Sequence, residues 1–189
     1  MEIERRFFES EVRALEDTNK IKGYGAVFGK RSEDLGGFQE TIAKGAFDGR
    51  LNDDVRGLFN HDANIVLGRT KSGTLKLSID ENGLGYEIDY PDTQVARDLK
   101  TSIQRGDVDQ SSFAFTVDHD EFAEVDGVII RTITKVKRLY DVSPVTYPAY
   151  PDASAGVRSL EKFLEARGVS KGALEAYRDR LEQVKNPRW

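Results

Sequence analysis

The chain has 189 residues, is 38% hydrophobic and carries a formal net charge of -5, with lysines and arginines scattered along it. This length suits one domain with appendages, and the acidic balance argues against a nucleic-acid-binding surface. No stretch approaches the ~20 apolar residues of a membrane span, and the N-terminus lacks the apolar core of a signal peptide. The absence of cysteine excludes disulfides and a cysteine nucleophile. We expect an intracellular soluble protein without nucleic-acid or membrane partners.

The N-terminal third predicts short strands separated by turns. Residues 1–16 alternate apolar and charged side chains, and residues 21–28 are typical of a strand. Residues 41–47 suit a short helix or a turn. Residues 55–60 predict a buried strand that leads into His61.

The middle of the chain predicts a hairpin followed by a helix. Residues 74–79 and 84–90 alternate with period two, and the DENG sequence at residues 80–83 is a strong hairpin turn. Residues 91–93 then open a helix that Gly106 ends. The apolar face of this helix comprises Val95, Ala96, Leu99 and Ile103.

Three further strands are predicted at residues 111–117, 128–136 and 139–147. In the first of them Phe113 and its alternate neighbours face the core, while Ser112 and its alternate neighbours face the other side. We therefore expect an α+β fold with a mostly antiparallel, β-barrel-like core and embedded helices.

The C-terminal tail is predicted to be helical. Residues 158–184 contain two amphipathic segments, so we divide the chain into a domain at 1–157 and an extension at 158–189, with a boundary near Gly156. Either a removable extension or an ordinary packing pair of helices fits this pattern. The second segment carries an apolar stripe suited to homodimer formation, which comprises Leu174, Tyr177, Leu181 and Val184.

A candidate catalytic group can be assembled from three separated residues. His61 is one of two histidines, and histidine is the usual base near neutral pH. Ser112 lies beside bulky phenylalanines that would hold it rigidly, and a serine nucleophile needs such a base. Asp141 lies in an apolar strand, where a carboxylate needs a partner. Each residue alone is more typical of a structural role, and sequence spacing does not change this, because triads form in space and not in sequence. No metal site or cofactor is expected.

The order of several short motifs resembles the prohead proteases of tailed bacteriophages, which are capsid maturation peptidases related to the herpesvirus assemblins. The resemblance covers roughly residues 20–155. Its main motifs are GYGAVF at 23–28, GAF at 45–47, NHD at 60–62, SFAF at 112–115 and VSPVTYPAY at 142–150.

This resemblance implies a serine endopeptidase of herpesvirus-protease-like fold, with His61 as base and Ser112 as nucleophile. Asp141 stands where the family commonly has Glu, so its orienting role is the least secure of the three. The herpesvirus relatives use a second histidine as the third member, but His119 follows Ser112 by only seven residues and therefore ranks below Asp141. Ser111 is the alternative nucleophile, and Arg138 is a weak candidate for stabilising the oxyanion.

The resemblance also implies partners and a place of action. The substrates would be extensions of the major capsid protein or scaffold protein, and the protease itself, inside the procapsid assembling in the host cytoplasm. Relatives in the herpesvirus group dimerise, so a homodimer is a further hypothesis. The alternatives are a non-enzymatic capsid-assembly or scaffolding module of the same fold and an unrelated small β-barrel that binds a ligand.

Overall fold

The computed structural model describes residues 2–8, 12–16, 18–35, 37–147, 154–169, 172, 175, 176 and 179. Within these residues the strands are β1 (Glu4–Phe8), β2 (Arg13–Ala14), β3 (Lys20–Val27), β4 (Gln39–Ile42), β5 (Arg56–Phe59), β6 (Asp62–Arg69), β7 (Leu75–Ile79), β8 (Gly83–Asp89), β9 (Gln110–Val125) and β10 (Val128–Val145). The helices are α1 (Gln94–Arg105) and α2 (Ser154–Ala166).

The described strands form two sheets. The larger has the order β1-β9-β10-β5-β6, with β4 paired beside β5 along the same edge of β10, and the smaller has the order β2-β3-β8-β7. All neighbouring pairs are antiparallel except β4 and β5, which run parallel to β10. The mostly antiparallel α+β class is therefore confirmed. The barrel-like closure is wrong for the described strands, because they remain in two separate sheets, and the likeness to the herpesvirus fold stays a prediction.

The main core lies between the two sheets. It joins Ile21 and Ile88 of the smaller sheet to Phe113, Phe115 and other apolar side chains of the larger one. The rings of Phe113 and Phe115 stack at 4.5 Å between centroids. The period-two alternation of the strands in both sheets puts these side chains on the inner faces. Strand β9 is therefore held rigidly at Phe113, next to Ser112.

Helix α1 has the predicted start and end. The side chain of Thr93 accepts a hydrogen bond from the Ala96 amide as an N-cap, and Gly106 ends the helix at a φ of 80°. Of the predicted apolar face, Ala96, Leu99 and Ile103 are buried, but the prediction was wrong for Val95, which is exposed. The helix links the smaller sheet to β9 of the larger one.

The two longest strands differ from the prediction. Residues 128–136 and 139–147 were expected as separate strands, but both belong to β10, which continues through bulges to Val145. Strand β9 likewise continues beyond its predicted end at residue 117, through His119, to Val125. A bulge leaves a strand bent but paired, so a break in the sequence alternation did not end either strand.

Two strands were not predicted. Residues 39–42 form the strand β4, whereas the turns that follow it at residues 44–49 confirm the turn, and not the short helix, expected within 41–47. Strand β6 was not predicted, because its first three residues, Asp62-Ala63-Asn64, include two polar side chains and lie partly or fully exposed on the edge of the sheet.

Helix α2 packs on the larger sheet through a second apolar cluster. Its Val157, Leu160 and Leu164 are buried against Phe38, Ile129 and neighbouring side chains. The helix spans residues 157 and 158, so the predicted division into two domains at that point stays a prediction. The stripe from Leu174 to Val184, and with it the dimer hypothesis, lies outside the described residues.

Neither helix in the described part of the chain is long and apolar enough to cross a membrane.

Candidate active site

His61 lies in the tight turn that joins β5 to β6. Asn60 and His61 both adopt left-handed backbone conformations, with φ of 54° and 57°, which are uncommon for residues other than glycine. The amide of Asn60 donates to the Pro144 carbonyl at 3.0 Å. The Asn60 side chain also accepts from the Thr146 amide at 2.8 Å and donates to the Thr146 hydroxyl at 3.2 Å. The turn is therefore tied to the end of β10, over the face that carries Ser112.

Ser112 lies in β9 and points away from the main core. Its neighbour Phe113 faces the smaller sheet, so the alternation of a strand turns Ser112 to the opposite face. The pairing of β9 with β10 puts Ser112 directly opposite Ser143. Side chains of directly opposite residues lie on the same face, so both serines approach the His61 turn.

A bulge in β10 decides the direction of Asp141. Leu139 is paired with Phe115, but Asp141 is paired with Ala114, so two steps along β10 match a single step along β9. Leu139 therefore shares the core face with Phe115, whereas Asp141 shares the face of Ala114 and Ser112. If Tyr140 were instead paired with Ala114 in regular alternation, Asp141 would lie opposite Phe113 and face the apolar core.

The three predicted side chains meet at His61. The distance from His61 Nε2 to Ser112 Oγ is 2.7 Å, and that from His61 Nδ1 to Asp141 Oδ1 is 2.6 Å. Ser112 is fully buried, and the side chains of His61 and Asp141 are only 6% and 10% exposed. An imidazole held between a hydroxyl and a carboxylate on its two nitrogens is the arrangement that activates a serine nucleophile.

Two more groups contact this arrangement. The Ser112 hydroxyl lies 2.9 Å from the Arg6 carbonyl oxygen of β1, so its proton has an acceptor besides His61 Nε2. The Ser143 hydroxyl donates to Asp141 Oδ1 at 2.8 Å and lies 3.4 Å from His61 Nδ1. The name His61 site is used below for His61, Ser112, Asp141 and Ser143.

The other sequence candidates lie elsewhere. Ser111 points to the opposite face, where its hydroxyl lies 2.6 Å from the Tyr86 hydroxyl, and burial raises the pKa of Tyr86, so that phenol stays protonated. The side chain of His119 is 69% exposed beside Asp118. The guanidinium of Arg138 lies over the Tyr140 ring. None of the predicted alternatives is among the contacts of His61.

A second buried polar group joins β10 to β1 and β4. Arg6 bonds to Glu4 and Glu40 at 2.5 and 2.7 Å, and Arg131 bonds to the same two carboxylates at 2.7 and 2.8 Å. All four side chains are at most 3% exposed, and they are called the charge cluster below. Burial alone would lower the pKa of Arg131, but Glu40 and Glu4 outweigh it and raise that pKa.

The hairpin that carries His61 has an ion pair at its other end. Arg69 of β6 forms a bidentate ion pair with the Asp54 carboxylate, with distances of 2.7 and 2.6 Å, and the Arg56 guanidinium lies 3.2 Å from the same carboxylate. The hydrogen bonds from Arg69 lower the pKa of Asp54 from 3.8 to about 2. The carboxylate is therefore charged over the whole physiological range.

Comparison with known proteins identifies the family. A sequence model described as caudovirus prohead serine protease matches residues 8–166. The chain belongs to that family. It is also 28% identical over 171 residues to the prohead protease of Enterobacteria phage HK97, an alignment that covers 86% of this chain and 72% of that protein. No solved structure matches it significantly. The protein is thus a serine protease of phage capsid maturation.

The sequence did not reveal every group around the protease's histidine. Ser143 lies two residues beyond Asp141 in the same strand, and strand periodicity alone would have put the two on one face. The Arg6 carbonyl could not be found in this way, because a main-chain atom leaves no sequence signal. The left-handed turn at Asn60 was signalled only by the residue type, since asparagine tolerates that conformation better than most.

Proposed function

We propose that His61, Ser112 and Asp141 are the catalytic triad of this protease. The observation that carries the proposal is the contact of His61 with both partners, through Nε2 to Ser112 and through Nδ1 to Asp141. A carboxylate at Nδ1 keeps the imidazole proton on that nitrogen, so that Nε2 is free to accept a proton from the serine.

The mechanism follows from these contacts. The neutral imidazole donates Nδ1–H to Asp141 and accepts the Ser112 proton at Nε2 as Oγ attacks a peptide carbonyl carbon. The imidazolium, stabilised by the Asp141 carboxylate, then protonates the leaving amine. Water attacks the acyl-enzyme with His61 again as base, which releases the second product and restores the Ser112 hydroxyl.

The substrates we propose are extensions of the major capsid protein or scaffold protein, together with the protease chain itself. The family description and the name of the HK97 relative support this class of substrate. The procapsid in the host cytoplasm is the proposed place of action. A non-enzymatic scaffolding role gains no support from the site, because a purely structural module has no need of a histidine held between a serine and a carboxylate.

The test compares two adjacent serines. Ser112→Ala removes the nucleophile, whereas Ser111→Ala removes a buried hydroxyl of the same strand that bonds to Tyr86 and lies on the opposite face. Each variant is assembled into procapsids with the cognate major capsid protein, and cleavage is followed by gel and mass spectrometry. Ser112→Ala should slow cleavage by about 10⁴–10⁶-fold with assembly intact.

The control variant should cleave at close to the wild-type rate, with a loss of stability of about 1–3 kcal/mol for the unpaired Tyr86 hydroxyl. Wild-type cleavage by Ser112→Ala, or loss of cleavage in Ser111→Ala with its fold intact by circular dichroism, would overturn the assignment of Ser112.

A further inference from the structure

Ser143 is the one polar side chain of the His61 site that the catalytic triad does not use. It is fully buried and lies directly opposite Ser112 across the β9–β10 pair. Its hydroxyl donates to Asp141 Oδ1 at 2.8 Å, the same oxygen that lies 2.6 Å from His61 Nδ1. A single carboxylate oxygen therefore receives both the imidazole and the serine.

The two contacts to Oδ1 restrict the Asp141 carboxylate more than either would alone. An aspartate side chain has two rotatable bonds, and a carboxylate with one partner can turn about the second of them. Ser143 comes from the same strand and the same face, so its hydroxyl fixes that rotation. We propose that Ser143 is a positioning residue that holds Asp141 Oδ1 against His61 Nδ1, and thereby holds His61 Nε2 on Ser112. This proposal rests on the proposed triad.

The geometry argues against a role for Ser143 as a second nucleophile. Its oxygen lies 3.4 Å from Nδ1, which is the nitrogen that Asp141 already holds, whereas Ser112 lies 2.7 Å from Nε2. A proton on Nδ1 leaves that nitrogen unable to accept one from Ser143. The hydroxyl thus acts on the carboxylate and not on the substrate.

The proposal is tested by the rate at which Ser112 reacts with a fluorophosphonate, a probe that phosphonylates activated serines and needs no knowledge of the natural substrate. The labelled residue is identified by mass spectrometry in the full-length chain. Ser143→Ala should lower the second-order labelling rate by up to about 10²-fold, because a small misplacement of a catalytic group has an effect of that size. Ser143→Thr keeps the hydroxyl and should recover most of the rate.

A double-mutant cycle separates positioning from a merely structural effect. In an Asp141→Ala background the Ser143 hydroxyl has no carboxylate to hold, so Ser143→Ala should change the remaining rate by less than about twofold. Ser143→Cys keeps the shape of the side chain but donates weakly, and it replaces Ser143→Ala if that variant does not fold. Ser111→Ala is the matched buried-serine control and should label like the wild type.

The outcomes distinguish the two proposals. If the wild type is not labelled at Ser112, the triad itself is overturned. If the wild type is labelled and Ser143→Ala reacts equally fast, or if Ser143→Ala slows labelling as much without Asp141 as with it, the positioning role is overturned while the triad stands.

Discussion

The His61 site and the charge cluster are two buried polar groups that share the long strand β10, and they are built on different principles. The charge cluster consists of two arginines and two glutamates whose charges compensate one another. The His61 site has a single carboxylate, Asp141, in contact with an imidazole and a hydroxyl that can give or take a proton. The first group can only hold the sheet together, whereas the second can move a proton without leaving an unpaired charge.

The location of the two groups matches this difference. The charge cluster joins β1, β4 and β10, which are far apart in sequence, and α2 covers it where Gly156 approaches the Arg131 guanidinium. A side chain at Gly156 would lie within 3.0 Å of Arg131 and Phe38. The His61 site instead depends on one left-handed turn, at Asn60 and His61. We therefore expect substitutions in the first group to affect folding and those in the second to affect chemistry.

The largest expected effect is on chemistry. His61→Gln removes the proposed base while keeping an amide that can donate to Asp141, so cleavage of the capsid protein in procapsids should fall by about 10⁴–10⁶-fold. The free energy of unfolding should fall by only about 1–3 kcal/mol, the cost of a poorly satisfied buried group. Urea unfolding of the purified chain measures the second quantity. A His61→Gln variant that cleaves normally, or that is unfolded, contradicts the expectation that substitutions in the His61 site affect chemistry and not folding.

The next effect is on folding. Arg131→Met leaves Glu4 and Glu40 with one arginine between them, so the free energy of unfolding should fall by about 3–5 kcal/mol. The double variant Arg131→Met/Glu40→Gln removes one charge of each sign and should recover part of that loss. The fluorophosphonate rate of whatever fraction remains folded should stay near that of the wild type.

Lys135→Met is the matched control for the cluster, since Lys135 lies in the same strand but pairs with Asp118 at the surface. Its effect on unfolding should be far smaller. Equal destabilisation by Lys135→Met and Arg131→Met would show that the burial of the cluster does not matter.

The smallest effect concerns the far end of the hairpin that carries His61. The pKa of Asp54 is lowered from 3.8 to about 2 by Arg69, so its contribution to stability is complete above about pH 4 and disappears as the pH falls through 2. The difference in melting temperature between the wild type and Asp54→Asn should therefore be constant from pH 7 to about pH 4 and shrink towards pH 2. A difference that grows on acidification would contradict this pairing.

The sequence predicted the local features of the fold well. Helix α1 was expected with its Thr93 and Gly106 ends, because capping and apolar periodicity are properties of adjacent residues. The hairpin of β7 and β8 was expected for the same reason. The charge cluster was not predicted, because its members come together only through the pairing of strands that are distant in sequence. These members are Glu4, Arg6, Glu40 and Arg131.

The candidate site was predicted in composition but not in geometry. Ser112 and His61 were selected by a resemblance spread over many motifs, and the structure brings their side chains together. The direction of Asp141 could not be derived in advance, because the sequence does not mark where a bulge shifts the alternation. A different bulge, between Val136 and Arg138, lies where one strand was predicted as two.

The bulge at Tyr140 makes the direction of Asp141 depend on strand pairing and not on spacing in the sequence. Leu139 and Asp141 are two residues apart, a spacing that regular alternation gives to side chains on one face, yet the unmatched Tyr140 puts them on opposite faces. Deleting Tyr140 would make these two residues adjacent in a regular strand and leave both directions unchanged. Within this protease family, the acid should therefore be found either directly after the core leucine or separated from it by one bulged residue.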